Sequence, residues 1–155
     1  MDYNNTSSAK DHAGNGRQYA TFFVDEMFFG VEVLKVQEVL RFQEMTCVPL
    51  APKTVEGLIN LRGQIVTAID MRRRLELEPR QAGAQPLNVV VRSEEAVVSL
   101  LVDEIGDVIE VSAAAYQSPP VNMPAAQRAL VDGVYQLDQR LLLVLNTDRT
   151  LTVPV

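Results

Sequence analysis

The chain has few of the residues from which catalytic and metal sites are usually built. Its 155 residues include one histidine, one cysteine and no tryptophan. The histidine, His12, lies in a polar N-terminal stretch where no neighbouring group can orient it for proton transfer. Cys47 has no second cysteine to pair with, and we expect a half-buried apolar residue in a strand of a protein from a reducing compartment. This inventory predicts no metal, no cofactor and no enzymatic activity.

Basic residues and long apolar runs are also scarce. The chain carries 14 Lys and Arg against 20 Asp and Glu, a formal net charge of -6. Nucleic-acid binding needs a clustered basic surface, so we expect no nucleic-acid partner. The apolar run Leu141–Leu145 is far shorter than the roughly 20 residues that span a bilayer. We therefore expect a cytoplasmic protein whose partners are other proteins.

Short apolar runs separated by turn-forming residues recur from residue 18 onward and predict β-hairpins. The clearest turn is Arg62-Gly63, because glycine adopts the positive φ that a two-residue hairpin turn needs. An open sheet of so many strands would leave long edges exposed, so we expect an all-β fold of two small barrels. The predicted hairpins pair residues 19–24 with 27–31, the two halves of 60–70, 87–91 with 96–102, and 134–137 with 140–145.

The remaining patterns suggest how the chain is divided. Residues 1–17 read as a disordered tail and residues 18–151 as one domain, with subdomains at 18–82 and 87–151 and possible exchange of strands between them. Helices should be few and short. The apolar spacing of Val33, Val36 and Leu40 predicts a helix over residues 33–40. Asp70 and Ser112 are predicted N-caps of the helical turns that follow them.

The charged residues of interest are two pairs of adjacent acids, one basic run and one expected ion pair. The acids at Glu94-Glu95 and Asp103-Glu104 are interpreted as solvated turn residues. The run Arg72–Arg74 is interpreted as a solvated helix face, with docking of an acidic partner as the alternative. We also expect the polar edge of the helix at 33–40 to bring Glu38 to Arg62, which would fix both side chains.

Several of these segments together resemble the CheW family of bacterial chemotaxis coupling proteins. The most specific match is Asn60-Leu61-Arg62-Gly63-Gln64-Ile65-Val66, followed by Asp70 and Arg72. The resemblance covers residues 18–151, and its other segments are residues 19–23, 30–39, 101–103, 106–108, Gly133 and 140–142.

The resemblance implies two five-stranded, SH3-like barrels and a non-catalytic adaptor. Such an adaptor joins the cytoplasmic tip of the chemoreceptor hairpin to the regulatory domain of the histidine kinase CheA, so it meets the membrane only through receptors. Gly57 would permit close approach of the receptor, and Glu38 and Arg62 would shape the wall of its groove. The implied receptor-binding residues are Val36, Glu38, Gly57, Arg62, Ile65 and Val108, and the implied kinase-binding residues are Phe42, Met45 and Val121.

One departure and three alternatives accompany this resemblance. Family members often carry an arginine and a phenylalanine in the loop that here reads Gln117-Ser118-Pro119-Pro120-Val121-Asn122. The first alternative is a coupling protein of a pilus-motility or other chemosensory array. The second is a detached regulatory domain of a CheA-like kinase, or a coupling domain from a fusion with a receiver. The third is a small β-barrel enzyme, for which the chain lacks a cluster of convergent polar groups.

Overall fold

In the computed structural model of the protein, residues 16–94 and 96–151 are described. Their strands form two five-stranded sheets, so the predicted all-β class is confirmed. The strands are β1 (Gly16–Val24), β2 (Met27–Glu32), β3 (Val36–Leu40), β4 (Val55–Leu61), β5 (Gln64–Asp70), β6 (Leu87–Arg92), β7 (Val97–Val102), β8 (Glu104–Ser112), β9 (Val131–Gln136) and β10 (Leu141–Leu145). The short helices are α1 (Met71–Arg74), α2 (Ala125–Arg128) and α3 (Thr147–Leu151), with 3₁₀ turns at Val33–Lys35 and Ala113–Ala115.

The N-terminal boundary differs slightly from the prediction. Gly16 and Arg17 are the first residues of β1 and pair with Ser112 and Val111 of β8, so the predicted tail ends before them. The rest of that predicted tail, including His12, lies outside the described residues, as does Glu95 in the turn between β6 and β7.

All four predicted hairpins are present, as β1–β2, β4–β5, β6–β7 and β9–β10. The turn at Arg62-Gly63 has φ of 52° and 91°, so both residues are left-handed, as in a type I′ turn. The Asn60 side chain accepts a hydrogen bond of 2.8 Å from the Gly63 N–H. Arg62 is thereby held at the tip of a hairpin by backbone geometry and by a side-chain bond.

The helix predicted over residues 33–40 is wrong. Only residues 33–35 form a 3₁₀ turn, and Val36–Leu40 forms strand β3. Exposure alternates along β3, with residues 36, 38 and 40 partly buried, a period of two that the helical spacing concealed. Three β-branched valines in eight residues weaken a helix, and pairing with β6 satisfies the backbone of this segment instead.

The two sheets exchange strands between the halves of the chain. The first sheet has the order β8-β1-β2-β10-β9 and the second has the order β3-β6-β7-β5-β4. Sheet membership therefore does not follow the predicted division into residues 18–82 and 87–151. The chain leaves hairpin β1–β2 for β3 of the second sheet, and leaves hairpin β6–β7 for β8 of the first.

Each sheet curls into a barrel because the segment after one edge strand reaches the other edge. Thr46, beyond β3, forms an isolated bridge with Leu58 of β4. Gln117, beyond β8, forms the equivalent bridge with Val134 of β9. The two barrels also share the parallel pairing of their two hairpins, β2 with β10 and β5 with β7. The two barrels therefore have the same arrangement of strands.

The apolar core has three parts. The largest lies between the two sheets and takes Phe22 and Phe29 from the first and Ile69 and Leu100 from the second. Burial of each such side chain stabilises the fold by about 1.5–3 kcal/mol. A smaller cluster around Tyr19 and Tyr135 fills the first barrel, and another around Ile59, Leu61, Val66 and Val90 fills the second.

Two local predictions are confirmed and one is wrong. The Asp70 carboxylate accepts a 2.9 Å hydrogen bond from the Arg72 N–H at the start of α1. The Ser112 hydroxyl accepts one of 3.3 Å from the Ala114 N–H. Cys47, predicted to be half-buried in a strand, is exposed in the irregular connection between β3 and β4. Only Thr46 of that connection bridges to β4, which leaves the next side chain in solvent.

Candidate functional site

The ion pair between Glu38 and Arg62 is the centre of the candidate site. The Arg62 guanidinium donates to the Glu38 carboxylate, which confirms the contact expected from the sequence. Glu38 extends from β3 and Arg62 from the β4–β5 turn, so the pair joins the two edge strands of the second sheet. The Arg62 side chain is 72% exposed and that of Glu38 only 20%. Arg62 therefore keeps N–H donors available to a partner.

Exposed apolar side chains lie at two of the predicted receptor-contact positions. Ile65 pairs with Asn60 in the hairpin that carries Arg62, and its side chain is 60% exposed. Val108 lies on β8 of the other sheet, where it pairs with Ala20 of β1, and its side chain is 59% exposed. Val36 is partly buried and packs against the core between the sheets. The structure thus joins Glu38 and Arg62 and places Ile65 on the same hairpin, whereas Val108 belongs to the first sheet.

Gly57 makes a close contact within the protein that the sequence did not predict. A Cβ atom at this position would lie 2.7 Å from the Thr46 carbonyl oxygen and 3.1 Å from the Met45 Cβ. The absent side chain therefore makes room for the protein's own 45–46 segment, and the approach of a receptor to Gly57 stays a prediction. Because Thr46 and Leu58 bridge at this point, Gly57 is required for closure of the second barrel.

Phe42 and Met45 line an open cleft of about 450 Å³ at the second sheet. The opposite wall is the connection after α1, through Leu77 and Pro86. Charged side chains on the cleft are already paired, as in the 3.5 Å contact between Arg80 and Asp70. Phe42 and Met45, both predicted to bind the kinase, therefore share one cleft of mixed polar and apolar lining.

Val121, the third predicted kinase contact, lies in a separate loop. Its side chain is 91% exposed. The loop is held at its start by the bridge between Gln117 and Val134, and the Arg128 guanidinium donates to the Pro120 carbonyl at 2.6 Å. The exposed Val121 side chain thus extends from a loop with hydrogen-bonded ends, and Val121 does not line the Phe42–Met45 cleft.

The interpretation of Arg72–Arg74 as a solvated helix face is wrong. Arg72 bonds Asp103, with Nη2 2.8 Å from a carboxylate oxygen, and donates to the Glu78 carbonyl. Arg73 pairs with Glu56 at 2.7 Å, and Arg74 donates to the Arg149 carbonyl. The Arg73 side chain stays 48% exposed in its pair, so docking of an acidic partner here stays a prediction.

Asp103 was likewise misinterpreted as a solvated turn residue. It lies between β7 and β8 and accepts bonds from Arg72, from Arg80 at 3.0 Å and from the Asp25 N–H at 2.6 Å. Burial alone would raise the pKa of its carboxyl, but the hydrogen bonds and the positive charges of both arginines lower that pKa below its ordinary value. Sequence reasoning missed Arg80, because a lone arginine in a polar connection carries no signal.

Two kinds of site are absent from the described residues. Among residues 16–94 and 96–151, no group of three or more His, Cys, Asp or Glu side chains is placed to hold a metal ion. None of the helices in those ranges has the length and apolar character needed to cross a membrane. What the arrangement supports is contact with other proteins through an exposed arginine and exposed apolar groups.

Comparison with known proteins identifies relatives of this chain. The CheW-like domain family matches residues 18–154. The chain is 29% identical over 143 residues to the chemotaxis protein CheW of Rhizobium meliloti, covering 92% of each chain. It is 30% identical over 133 residues to chemotaxis protein CheW of Treponema pallidum, covering 83% of this chain and 78% of that one.

A solved structure agrees with the fold. The crystal structure of the scaffolding protein TtCheW from Thermoanaerobacter tengcongensis superimposes with a TM-score of 0.76 at 25% sequence identity. The superposition covers 84% of this chain and 88% of that one.

Proposed function

The chain belongs to the CheW family, and from that premise we propose that it is a non-catalytic adaptor that couples chemoreceptors to the histidine kinase CheA. It acts in the cytoplasm and reaches the membrane only through the receptors. The observation that carries the proposal is the ion pair between Glu38 and Arg62, which holds an exposed arginine at a barrel edge beside the exposed Ile65.

The receptor surface in this proposal comprises the Arg62 turn and its neighbours. The cytoplasmic hairpin tip of a receptor places an apolar face against Ile65, Val108 and the exposed edge of Val36. Arg62 offers N–H donors to acidic or carbonyl groups of that tip, and Glu38 fixes its position. Preorganised side chains on a rigid turn lose little conformational entropy on binding, which favours recognition.

The kinase surface uses the other end of the second barrel and the Val121 loop. Phe42 and Met45 receive apolar side chains of the kinase regulatory domain in their cleft. Val121, with most of its surface in water, makes a second apolar contact. Separate surfaces for the two partners are what an adaptor needs, because both must bind at once.

Co-sedimentation tests the proposal. The protein is mixed with a receptor cytoplasmic fragment and full-length CheA, and we expect the kinase to sediment with the receptor only when the adaptor is present. Absence of binding to both partners would refute the proposal. Binding to one partner alone would refute the coupling role.

Charge reversal tests the site itself. Arg62→Glu and Glu38→Arg should each weaken receptor binding about tenfold or more, because each places like charges side by side at the barrel edge. The double reversal restores the attraction within the pair but leaves a carboxylate where the Arg62 donors were, so stability should recover while receptor affinity stays low. Arg149→Glu is the matched control, because Arg149 forms a similarly exposed pair with Asp132 outside the proposed surface. Equal effects of the control and Arg62→Glu would contradict the site.

A further inference from the structure

Leu50 combines two features that are unfavourable in an isolated protein. Its backbone φ is 66°, in the left-handed region that glycine and asparagine adopt far more readily than leucine. Its side chain is fully exposed, with a relative exposure of 104%. No packing within the protein compensates for the conformation, and the apolar surface stays in water.

The turn that carries Leu50 is closed by a hydrogen bond and follows a bridged segment of the second barrel. Residues 48–51 form a β-turn in which the Ala51 N–H donates to the Val48 carbonyl at 3.3 Å. Pro49 occupies the second position of this turn, and Leu50 occupies the third, where glycine is normally found in a type II turn. Thr46 and Leu58 exchange hydrogen bonds of 2.8 and 2.9 Å just before the turn. The leucine is thus projected from a fixed position on the second barrel.

A strained backbone is retained when the surrounding structure imposes it, and such residues cluster at binding sites. Here the strained residue carries a fully exposed apolar side chain, so a partner that covers this side chain would offset the cost of the conformation. A rigid anchor also loses little entropy on binding, which favours affinity.

We propose that Leu50 is an anchor that inserts into an apolar socket of a folded protein domain, and that this domain is the regulatory domain of the kinase. The second part rests on the proposed function. Leu50 lies in the connection between β3 and β4, which also contains Phe42 and Met45 of the proposed kinase cleft. That connection leads into the first residue of β4, whereas Arg62 of the receptor surface follows the last residue of β4. The two surfaces therefore adjoin opposite ends of this strand.

The substitution Leu50→Asn separates this proposal from a structural role. Asparagine tolerates the left-handed conformation and removes the apolar side chain. In binding experiments with full-length CheA, we expect affinity to fall tenfold or more while affinity for the receptor fragment stays within twofold. The midpoint of thermal unfolding should rise by about 2–4 °C, because strain is relieved in the free protein. The combination of higher stability and weaker kinase binding is the signature of an anchor.

Leu34→Asn is the matched control, because Leu34 is 87% exposed in an ordinary 3₁₀ turn. It should leave kinase affinity within twofold. Equal losses from both substitutions would overturn the proposal, as would a lower unfolding temperature for Leu50→Asn. Wild-type binding that Leu50→Asn leaves unchanged would overturn the anchor alone, whereas no kinase binding by the wild-type protein would overturn the proposed function as well.

Discussion

At the scale of single residues, Asp103 joins parts of the molecule that are distant in sequence. Its carboxylate binds Arg72 of α1 and Arg80 of the following connection, and its own N–H donates to Phe23 of β1. The side chains of the two arginines are only 16% and 13% exposed. Loss of the carboxylate would leave two largely buried cations with fewer partners.

Asp103→Asn should therefore destabilise the protein by about 3 kcal/mol, the lower end of the range for breaking a buried charge pair. Equilibrium unfolding in urea measures the change. Asp132→Asn is the control, because its pair with Arg149 is about half exposed and should be worth about 0–1 kcal/mol. Equal effects of the two substitutions would show that the Asp103 network adds no more than a surface pair.

The same residue predicts a pH dependence. Because the pKa of Asp103 is lower in the folded protein, its contribution to stability is fully present above the unfolded pKa of about 3.9. That contribution is lost as pH falls through the folded pKa. The stability difference between the wild-type protein and Asp103→Asn should therefore be constant near neutral pH and narrow below about pH 4. Urea unfolding across that range would disprove this if the gap widened in acid.

At the scale of elements, local signals predicted what local interactions determine. The turn at Arg62-Gly63 lies between two strands adjacent in sequence, so its positive φ values specify the hairpin directly. Strand β3 was missed for two reasons. Its pairing partner β6 lies about fifty residues away in sequence, and the apolar residues of so short a segment fit both a helical and a strand spacing. The contact between Glu38 and Arg62 was nevertheless predicted, since opposite charges on neighbouring elements attract in either conformation.

The contact of Gly57 with residues 45–46 was not predicted, for a related reason. From sequence, a glycine at a predicted binding surface cannot be distinguished from one that lets the chain pass over itself. Here the Thr46 carbonyl lies where the Cβ of any other residue would be placed. Substitution therefore acts first on closure of the barrel and only then on a binding surface.

Gly57→Ala should accordingly lower the free energy of unfolding by about 1–3 kcal/mol, as expected for overpacking. It should also speed hydrogen exchange at the Thr46 and Leu58 amides, whose reciprocal bonds close the barrel. Unchanged stability and exchange, together with lost receptor binding, would instead support direct contact of Gly57 with the receptor.

At the scale of the whole molecule, the exchange of β3 and β8 links the halves of the chain. Residues 16–82 contain hairpins β1–β2 and β4–β5, but these belong to different sheets. The strands that complete each sheet, β6 and β7 in one and β8 to β10 in the other, come from the second half. The recurrence of short strands predicted two barrels with possible exchange of strands, but which strands are exchanged depends on long-range pairing that no local pattern encodes.

Neither half should therefore fold alone. Separated before Gly83, fragments 1–82 and 83–155 each retain only two native strand pairings, both within hairpins, and an isolated hairpin is marginally stable at best in water. Circular dichroism during urea titration should show no cooperative transition for either fragment. Co-expression of both should recover a folded complex, because every missing pairing is supplied by the other fragment and the shared core between the sheets can form. Cooperative unfolding of fragment 1–82 alone would mean that its strands find other partners, and that exchange is not required for the first half to fold.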